Sequence, residues 1–276
     1  MGVSGKNFVW FFGRENQAFT AFTIYRCIIV VMLYTKLKSS SKQLAILIDP
    51  DKHSQESLTQ LVDLAENART DFFFVGGSLL LEDRFEKTIS YIKEHSKIPV
   101  IIFPGNNYQI SAKADAILFL SLISGRNPEY LIGQQVIAAP LIKEAKIETI
   151  STGYLLIDGG RVSTTSYITQ TVPIPNDKPD IAVATALAGE MLGMKLIYLE
   201  AGSGAVNSVS AEMIKAVKKN ISIPLIVGGG IRSAEQAEEI CKAGADIIVV
   251  GNVLEKKPGL LMEISLAVHS TNKVSG

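Results

Sequence analysis

From residue 44 onward, short apolar runs alternate with longer stretches whose apolar positions recur every three or four residues. The runs cover residues 44–48, 72–75, 100–103, 116–120, 153–157, 196–199, 224–227 and 246–250. They lack polar alternation, as strands buried on both faces of a parallel sheet should. Between them, residues 55–69, 83–95, 211–219 and 234–243 read as amphipathic helices. Strand followed by helix around eight strands predicts an α/β fold closed as a (β/α)₈ TIM barrel. One interval breaks the repeat. Phe103 and Ala116 are separated by only 12 residues, among them Pro104, Gly105, Asn106 and Asn107, which is marginal for a crossover helix. The third barrel helix is therefore expected to be replaced by an extended or irregular segment. Such a gap leaves a groove on the barrel's side, and the spacing alone does not say whether that groove has a use. Residues 158–180, after the fifth strand, form a second irregularity rich in Thr, Pro and Gly. Loops of that length on the C-terminal face of a barrel are functional or mobile.

Length agrees with one barrel: the chain has 276 residues, 47% of them apolar, and these barrels run near 250 residues as one unit. The formal net charge is zero, so no overall field favours nucleic acid, which is not an expected partner. Two cysteines, Cys27 and Cys241, are too few for a disulfide framework, and Cys241 reads as a buried free thiol on a helix. That suits a reducing cytoplasm.

The N-terminus departs from the pattern. Residues 1–22 carry Phe8, Trp10, Phe11, Phe12, Phe19 and Phe22 without a clear period. They are set apart as an extension, disordered or produced by a mis-assigned start codon, and residues 23–276 are taken as a single barrel domain. Residues 18–34 are mainly apolar but interrupted by Arg26. A charge near the centre of a span costs about 2.5–3.5 kcal/mol on insertion scales, and no signal-peptide cleavage site follows. A soluble segment running into a helix that closes the barrel floor is the preferred expectation. Membrane-surface contact is kept as the second.

Active sites of this fold lie where strands end. Near the C-terminus, Val227-Gly228-Gly229-Gly230-Ile231-Arg232 is followed one repeat later by Val249-Val250-Gly251-Asn252. Two glycine-bearing strand ends at that spacing form a phosphate cup, since glycine lets backbone N–H groups approach an oxyanion. The sixth strand ends in Tyr198-Leu199-Glu200-Ala201-Gly202-Ser203-Gly204. Strand alternation puts Tyr198 and Glu200 on one face, able to point into the barrel mouth. Glu200 has no helix-capping duty there, because Ser208 and Ser210 already serve the next helix. It is a candidate base, strengthened by burial. The first strand ends in Asp49-Pro50-Asp51-Lys52 and the second in Gly76-Gly77-Ser78. Carboxylate and hydroxyl there suit a hard cation or a phosphate, although Asp-Pro is also ordinary turn chemistry. His53, His95 and His269 show no metal-like spacing and read as surface residues. The pattern implies two ligands, a phosphate ester on one side of the mouth and a metal-bound anion on the other.

At these residues the chain resembles the geranylgeranylglyceryl phosphate synthase family, which includes heptaprenylglyceryl phosphate synthases. The resemblance covers about residues 24–268 and is carried by segments 47–52, 75–78, 119–133, 198–204, 227–232 and 250–252. It implies an Mg²⁺-dependent prenyltransferase that joins a prenyl diphosphate, expected to be geranylgeranyl, to the 3-hydroxyl of sn-glycerol 1-phosphate and releases diphosphate. Asp49 and Ser78 would hold Mg²⁺. Tyr198, Leu199, Glu200, Ala201, Gly202, Ser203, Gly204, Gly229, Gly230, Gly251 and Asn252 would hold glycerol phosphate, with Glu200, Tyr198 and Asp49 as the catalytic set. Tyr130 would limit tail length at the end of the groove left by the third helix. Family members are often dimers or hexamers, so a homo-oligomer is expected. The chain departs from some members in carrying Leu47 two positions before Asp49, where they carry Lys. Lys52 is the candidate to supply that charge. A phosphosugar or amino-acid pathway barrel, or a non-catalytic phosphate sensor, would share the cup but leave Asp49 to Lys52 and Glu200 unexplained.

Overall fold

The computed structural model describes residues 33–273 apart from 81 and 83. Its strands close into one parallel barrel in chain order: β1 (Gln43–Ile48), β2 (Phe72–Val75), β3 (Val100–Ile102), β4 (Ala116–Ser121), β5 (Glu148–Leu156), β6 (Leu196–Glu200), β7 (Leu225–Gly228) and β8 (Ile247–Val250). β8 returns to pair with β1, in register from Gln43 with Ile247 to Ile46 with Val250. Around it lie α1 (Gln55–Asn67), α2 (Phe85–His95), α3 (Gln134–Ala145), α4 (Thr164–Thr169), α5 (Pro179–Met191), α6 (Ala211–Asn220), α7 (Ala234–Ala243), α8 (Asn252–Lys256) and α9 (Leu260–Ser270). α1, α6 and α7 begin where serines cap them: Ser54, Ser210 and Ser233 accept from the N–H groups of Ser57, Met213 and Gln236.

Strand alternation divides the core into two shells. Phe72, Phe74, Leu118, Tyr154, Tyr198 and Ile226 point into the barrel. Phe73, Val75, Leu199 and Val227 point outward and pack with Leu61, Ile89, Val217 and Ile264 of the helices. Both faces of each strand are thus apolar, which is why the sequence shows runs rather than alternation. Residues 33–37 are helical, and Leu33 and Leu37 belong to the inward shell. The Tyr34 N–H donates to Glu148 Oε1 at 3.2 Å and its hydroxyl to the Lys195 carbonyl at 3.2 Å. This part of the N-terminal region closes the barrel floor as expected. The extension over residues 1–22, the rest of the apolar stretch and Cys27 lie outside the described residues. Among the described residues, no helix is long and apolar enough to cross a membrane. Cys241 is a buried free thiol, and burial pushes its pKa up to about 11.

No helix joins β3 to β4; the chain crosses in turns and bends. The long segment after β5 is less irregular than its composition suggests. It contains α4, opened by a capping box in which Ser163 and Ser166 each accept from the other's backbone N–H. β5 also begins five residues before the apolar run, at Glu148 rather than Gly153. Its first half is polar, yet Glu148 and Thr152 are buried, because the floor of the barrel takes hydrogen-bonded polar groups.

Candidate active site

β6 carries the reactive carboxylate to the barrel mouth. Glu200 is 7% exposed, and its Oε1 accepts from the Gly202 N–H at 2.7 Å. Burial raises its pKa to about 7, against the opposing pull of that N–H and of the neighbouring Tyr198 hydroxyl. Such a group takes and returns protons near neutrality. Tyr198 is fully buried. Its hydroxyl lies beside Glu200 in an orientation short of a full hydrogen bond, and burial, then the charge of Glu200, push its pKa well up. Leu199 and Ala201, expected among the binding residues, turn outward into the helix-facing shell. Alternation leaves them only backbone to offer, and the Ala201 N–H already donates to the Gly228 carbonyl at 3.0 Å.

The glycines of β7 make room for this carboxylate as well as for a ligand. A Cβ on Gly228 would lie 2.5 Å from Tyr198 Oη and 2.8 Å from Glu200 Oε2, and one on Gly229 would overlap Glu200 Oε1. Gly229 and Gly230 have φ of +84° and +72°, open to glycine at no steric cost. The β6 loop is strapped over them. Arg232 donates to the Val206 carbonyl at 2.9 Å and also to that of Ala205. The Ser203 hydroxyl donates to Asn252 Oδ1 at 3.0 Å. Gly202 to Gly204, Gly229-Gly230 and Gly251-Asn252 therefore converge in one cup beside Glu200. From the loop after β5, Arg161 reaches the Gly204 carbonyl at 3.4 Å.

Across the mouth, Asp49 ends β1. Its Oδ1 caps the turn Pro50–Lys52 by accepting from the Asp51 N–H at 3.2 Å, while its Oδ2 faces Lys52. A Cβ on Gly77 would lie 3.1 Å from Asp49 Oδ1, which places Asp49 directly over the β2 loop that carries Ser78. The Ser78 hydroxyl meets Thr165 Oγ1 at 3.2 Å. Among the described residues, no three His, Cys, Asp or Glu side chains form a metal cluster. One carboxylate and one hydroxyl are nonetheless a donor set that Mg²⁺ accepts when a substrate's phosphates and water complete its octahedron. Lys52 bridges Asp49 Oδ2 at 3.4 Å and Glu255 Oε1 at 3.6 Å, between this half and the cup. His53 is pushed below the usual imidazole range by burial and faces Ser57. His95 stacks on Tyr91, and His269 is tied to Asp71 and Ser265. The latter two are structural.

From Ser78 an apolar groove runs past Phe103 and down the barrel's side. Ile117 and Phe119, outward residues of β4, line it instead of packing under a helix, and Ala138 and Ile142 of α3 form the far wall. α4 roofs it with Thr165 and Ile168. Tyr130 lies in a π turn, Glu129–Gly133, that leads into α3, and it lines the groove while packing against the inward shell. Ile142 lies eight residues beyond the start of α3, about 12 Å along that helix. Thr165, Arg232 and Arg161 escaped sequence reasoning. An Arg two positions after the glycine run was the one visible signal.

The profile of the PcrB family matches residues 37–269. The geranylgeranylglyceryl phosphate synthase of Spirosoma linguale is 52% identical over 235 residues, which are 85% of this chain and 94% of that protein. A crystal structure of (S)-3-O-geranylgeranylglyceryl phosphate synthase from Thermoplasma acidophilum, in complex with the substrate sn-glycerol-1-phosphate, superposes with a TM-score of 0.81 at 38% identity. It covers 86% of this chain and 97% of that one. The tryptophan synthase α subunit of Legionella pneumophila, 14% identical with a TM-score of 0.53 over 88% and 98% of the two chains, shares the fold alone.

Proposed function

The chain belongs to the PcrB family, and from that premise we propose that it forms the ether bond between a prenyl diphosphate and the 3-hydroxyl of sn-glycerol 1-phosphate, releasing diphosphate. The observation that carries this reading is the apolar groove opening into the same mouth as the buried Glu200 and its glycine cup. A single-ligand isomerase has no use for that groove. The cup, from Gly202 to Gly204, Gly229-Gly230 and Gly251-Asn252, holds the phosphate of the acceptor and so orients its free hydroxyl. Glu200 accepts the proton of that hydroxyl as the oxygen bonds to C1 of the allylic donor, whose C–O bond to diphosphate breaks. Tyr198 keeps the carboxylate company on its buried side. Asp49 and Ser78 hold Mg²⁺, which when bound supplies charge neutralisation for the diphosphate leaving group. The wall from Phe119 to Ile142 takes the tail and keeps water from the reacting carbon, and Tyr130 limits which tails fit.

The donor is read as geranylgeranyl, the group in the name of the Spirosoma linguale relative. A homo-oligomer is supported by the outward face of α3 and of the π turn before it, where Ile132, Val136, Ile137 and Leu141 are exposed and form an apolar stripe of the kind that marks an interface. The buried free thiol is at home in the cytoplasm. The deciding experiment offers both glycerol phosphate enantiomers, with Mg²⁺ and prenyl diphosphates of graded length, and identifies the product by mass. An ether of sn-glycerol 1-phosphate with equimolar diphosphate is expected. Isomerised or cleaved phosphosugar instead, or no turnover, would end the reading.

A further inference from the structure

The gap between β3 and β4 raises a mechanical question. In the other repeats a helix packed on the barrel fixes the loop that precedes it; here Phe103 is followed by turns, and the segment lies directly against the β2 loop. Gly76 has no room for a side chain, since a Cβ would overlap the Phe103 carbonyl, and one on Gly105 would overlap the carbonyl of Gly77. The two loops cross backbone to backbone. What pins the crossing is one side chain, Gln109, 3% exposed. Its Oε1 accepts from the Gly77 N–H at 3.3 Å and the Gly105 N–H at 3.2 Å, and its Nε2 donates to the Gly77 carbonyl at 2.8 Å. The carboxamide thus engages both polar groups of Gly77, as a neighbouring strand would, and ties that residue to Gly105 with the same oxygen.

Gly77 is the floor under Asp49 and the residue before Ser78. Pro104, Gly105 and Ile110, on either side of Gln109, line the groove. One buried amide therefore fixes the diphosphate end and the tail wall relative to each other. We infer that Gln109 is a positioning residue for the donor half of the site: it does the work of the missing helix by locking the β2 loop to the β3 segment, and it leaves the acceptor cup untouched. This rests on the reading of Asp49 and Ser78 as the diphosphate end. The Gly77 N–H is already engaged, so the diphosphate is met by the side chains and by Ser78 onward rather than by the Gly77 backbone.

Calorimetric titration separates the two halves without relying on turnover. Inorganic pyrophosphate in MgCl₂ probes the donor half, and sn-glycerol 1-phosphate probes the cup. Gln109→Met keeps the volume and removes all three hydrogen bonds, each costly to lose when its partner stays buried. It is expected to weaken pyrophosphate by roughly tenfold or more while glycerol phosphate stays within about twofold. The KM for prenyl diphosphate should rise by a similar factor while that for glycerol phosphate holds. Gln109→Asn keeps a neutral amide, with donor and acceptor, but is one methylene too short to hold all three bonds, so it should fall between parent and Gln109→Met. If Gln109→Met lacks the parent's cooperative thermal transition it has not folded, and Gln109→Asn decides the matter by the same split. Equal loss of both ligands in a folded variant, or loss of neither, overturns the positioning role. A parent that binds glycerol phosphate but not magnesium pyrophosphate removes the donor reading and this inference with it.

Discussion

The two halves of the mouth are built on opposite principles. The acceptor half, at β6 to β8, is mostly backbone: glycines at positive φ, a carboxylate held by a main-chain N–H, and a loop strapped down by Arg232 through two carbonyls. The donor half, at β1 to β4, is made of side chains from four separate loops, and its largest surface exists because a helix is absent. A phosphate monoester has one shape, and a rigid template of N–H groups fits it. A prenyl tail has many conformations and a variable length, and a groove of loosely graded apolar residues accommodates it. Preorganisation was spent where the ligand is rigid.

Removing the base should break the acceptor half most severely. Glu200→Gln is expected to lower kcat by about 10³-fold, within the range for a lost general base, with glycerol phosphate binding preserved in calorimetry. Its pH dependence carries the sign. The folded pKa is raised to about 7 from 4.5, so ionising the buried group penalises the fold as pH rises between those values. The penalty amounts to at most about 3 kcal/mol above pH 7 and is absent below pH 4.5. Glu200→Gln should therefore melt higher than the parent at pH 8 and together with it at pH 4.5, while the parent's rate falls as pH drops below about 7. A variant with parental activity would contradict the role of Glu200.

On the donor side, Asp49→Asn should reduce kcat/KM by about 10²-fold, as losses of charge-stabilising groups do. It should also raise the Mg²⁺ concentration needed for half-maximal rate, leaving the KM for glycerol phosphate in place. Rates measured across MgCl₂ concentrations test this, and an unchanged metal requirement would reassign the metal's ligands. The smallest effect on rate is expected for Tyr130→Ala: no more than roughly tenfold on the geranylgeranyl donor, with the accepted tails extending beyond twenty carbons. A product-length profile matching the parent's would leave tail length to Ala138 and Ile142 deeper in the groove.

The barrel was legible because eight apolar runs and four amphipathic helices repeat in order, and the missing helix was legible as a spacing. α3 and α5 were not. Their outer faces carry Val136, Ile137 and Leu141, and Ile181 and Met191, so the contrast between buried and exposed sides that marks a surface helix is weak. The first half of β5 was hidden by Glu148, Thr149, Ser151 and Thr152, polar residues that the barrel floor and rim absorb. In the site, Tyr198, Glu200 and the glycines followed from strand alternation and strand ends. The same alternation turns Leu199 outward, away from the cup. Gln109 left no pattern, because its partners are peptide groups of glycines 32 and 4 residues away. A side chain that bonds to backbone is specified by the fold and not by any neighbouring residue type.

The bare outer face of β4 also bears on how a catalytic cycle would end. Phe119 lies half-buried at the groove, so on the proposed reading an occupying tail would cover it as a helix would, and the tail's departure would uncover it again. Each methylene moved from such a groove into water costs roughly 0.8 kcal/mol. Escape into bulk water would then be far slower than bond formation, and residence time on the protein would be set by the nearest apolar phase able to receive the lipid. On the proposed reading, a barrel in which the tail stands in for the third helix would be returned to the empty state by a membrane rather than by solvent.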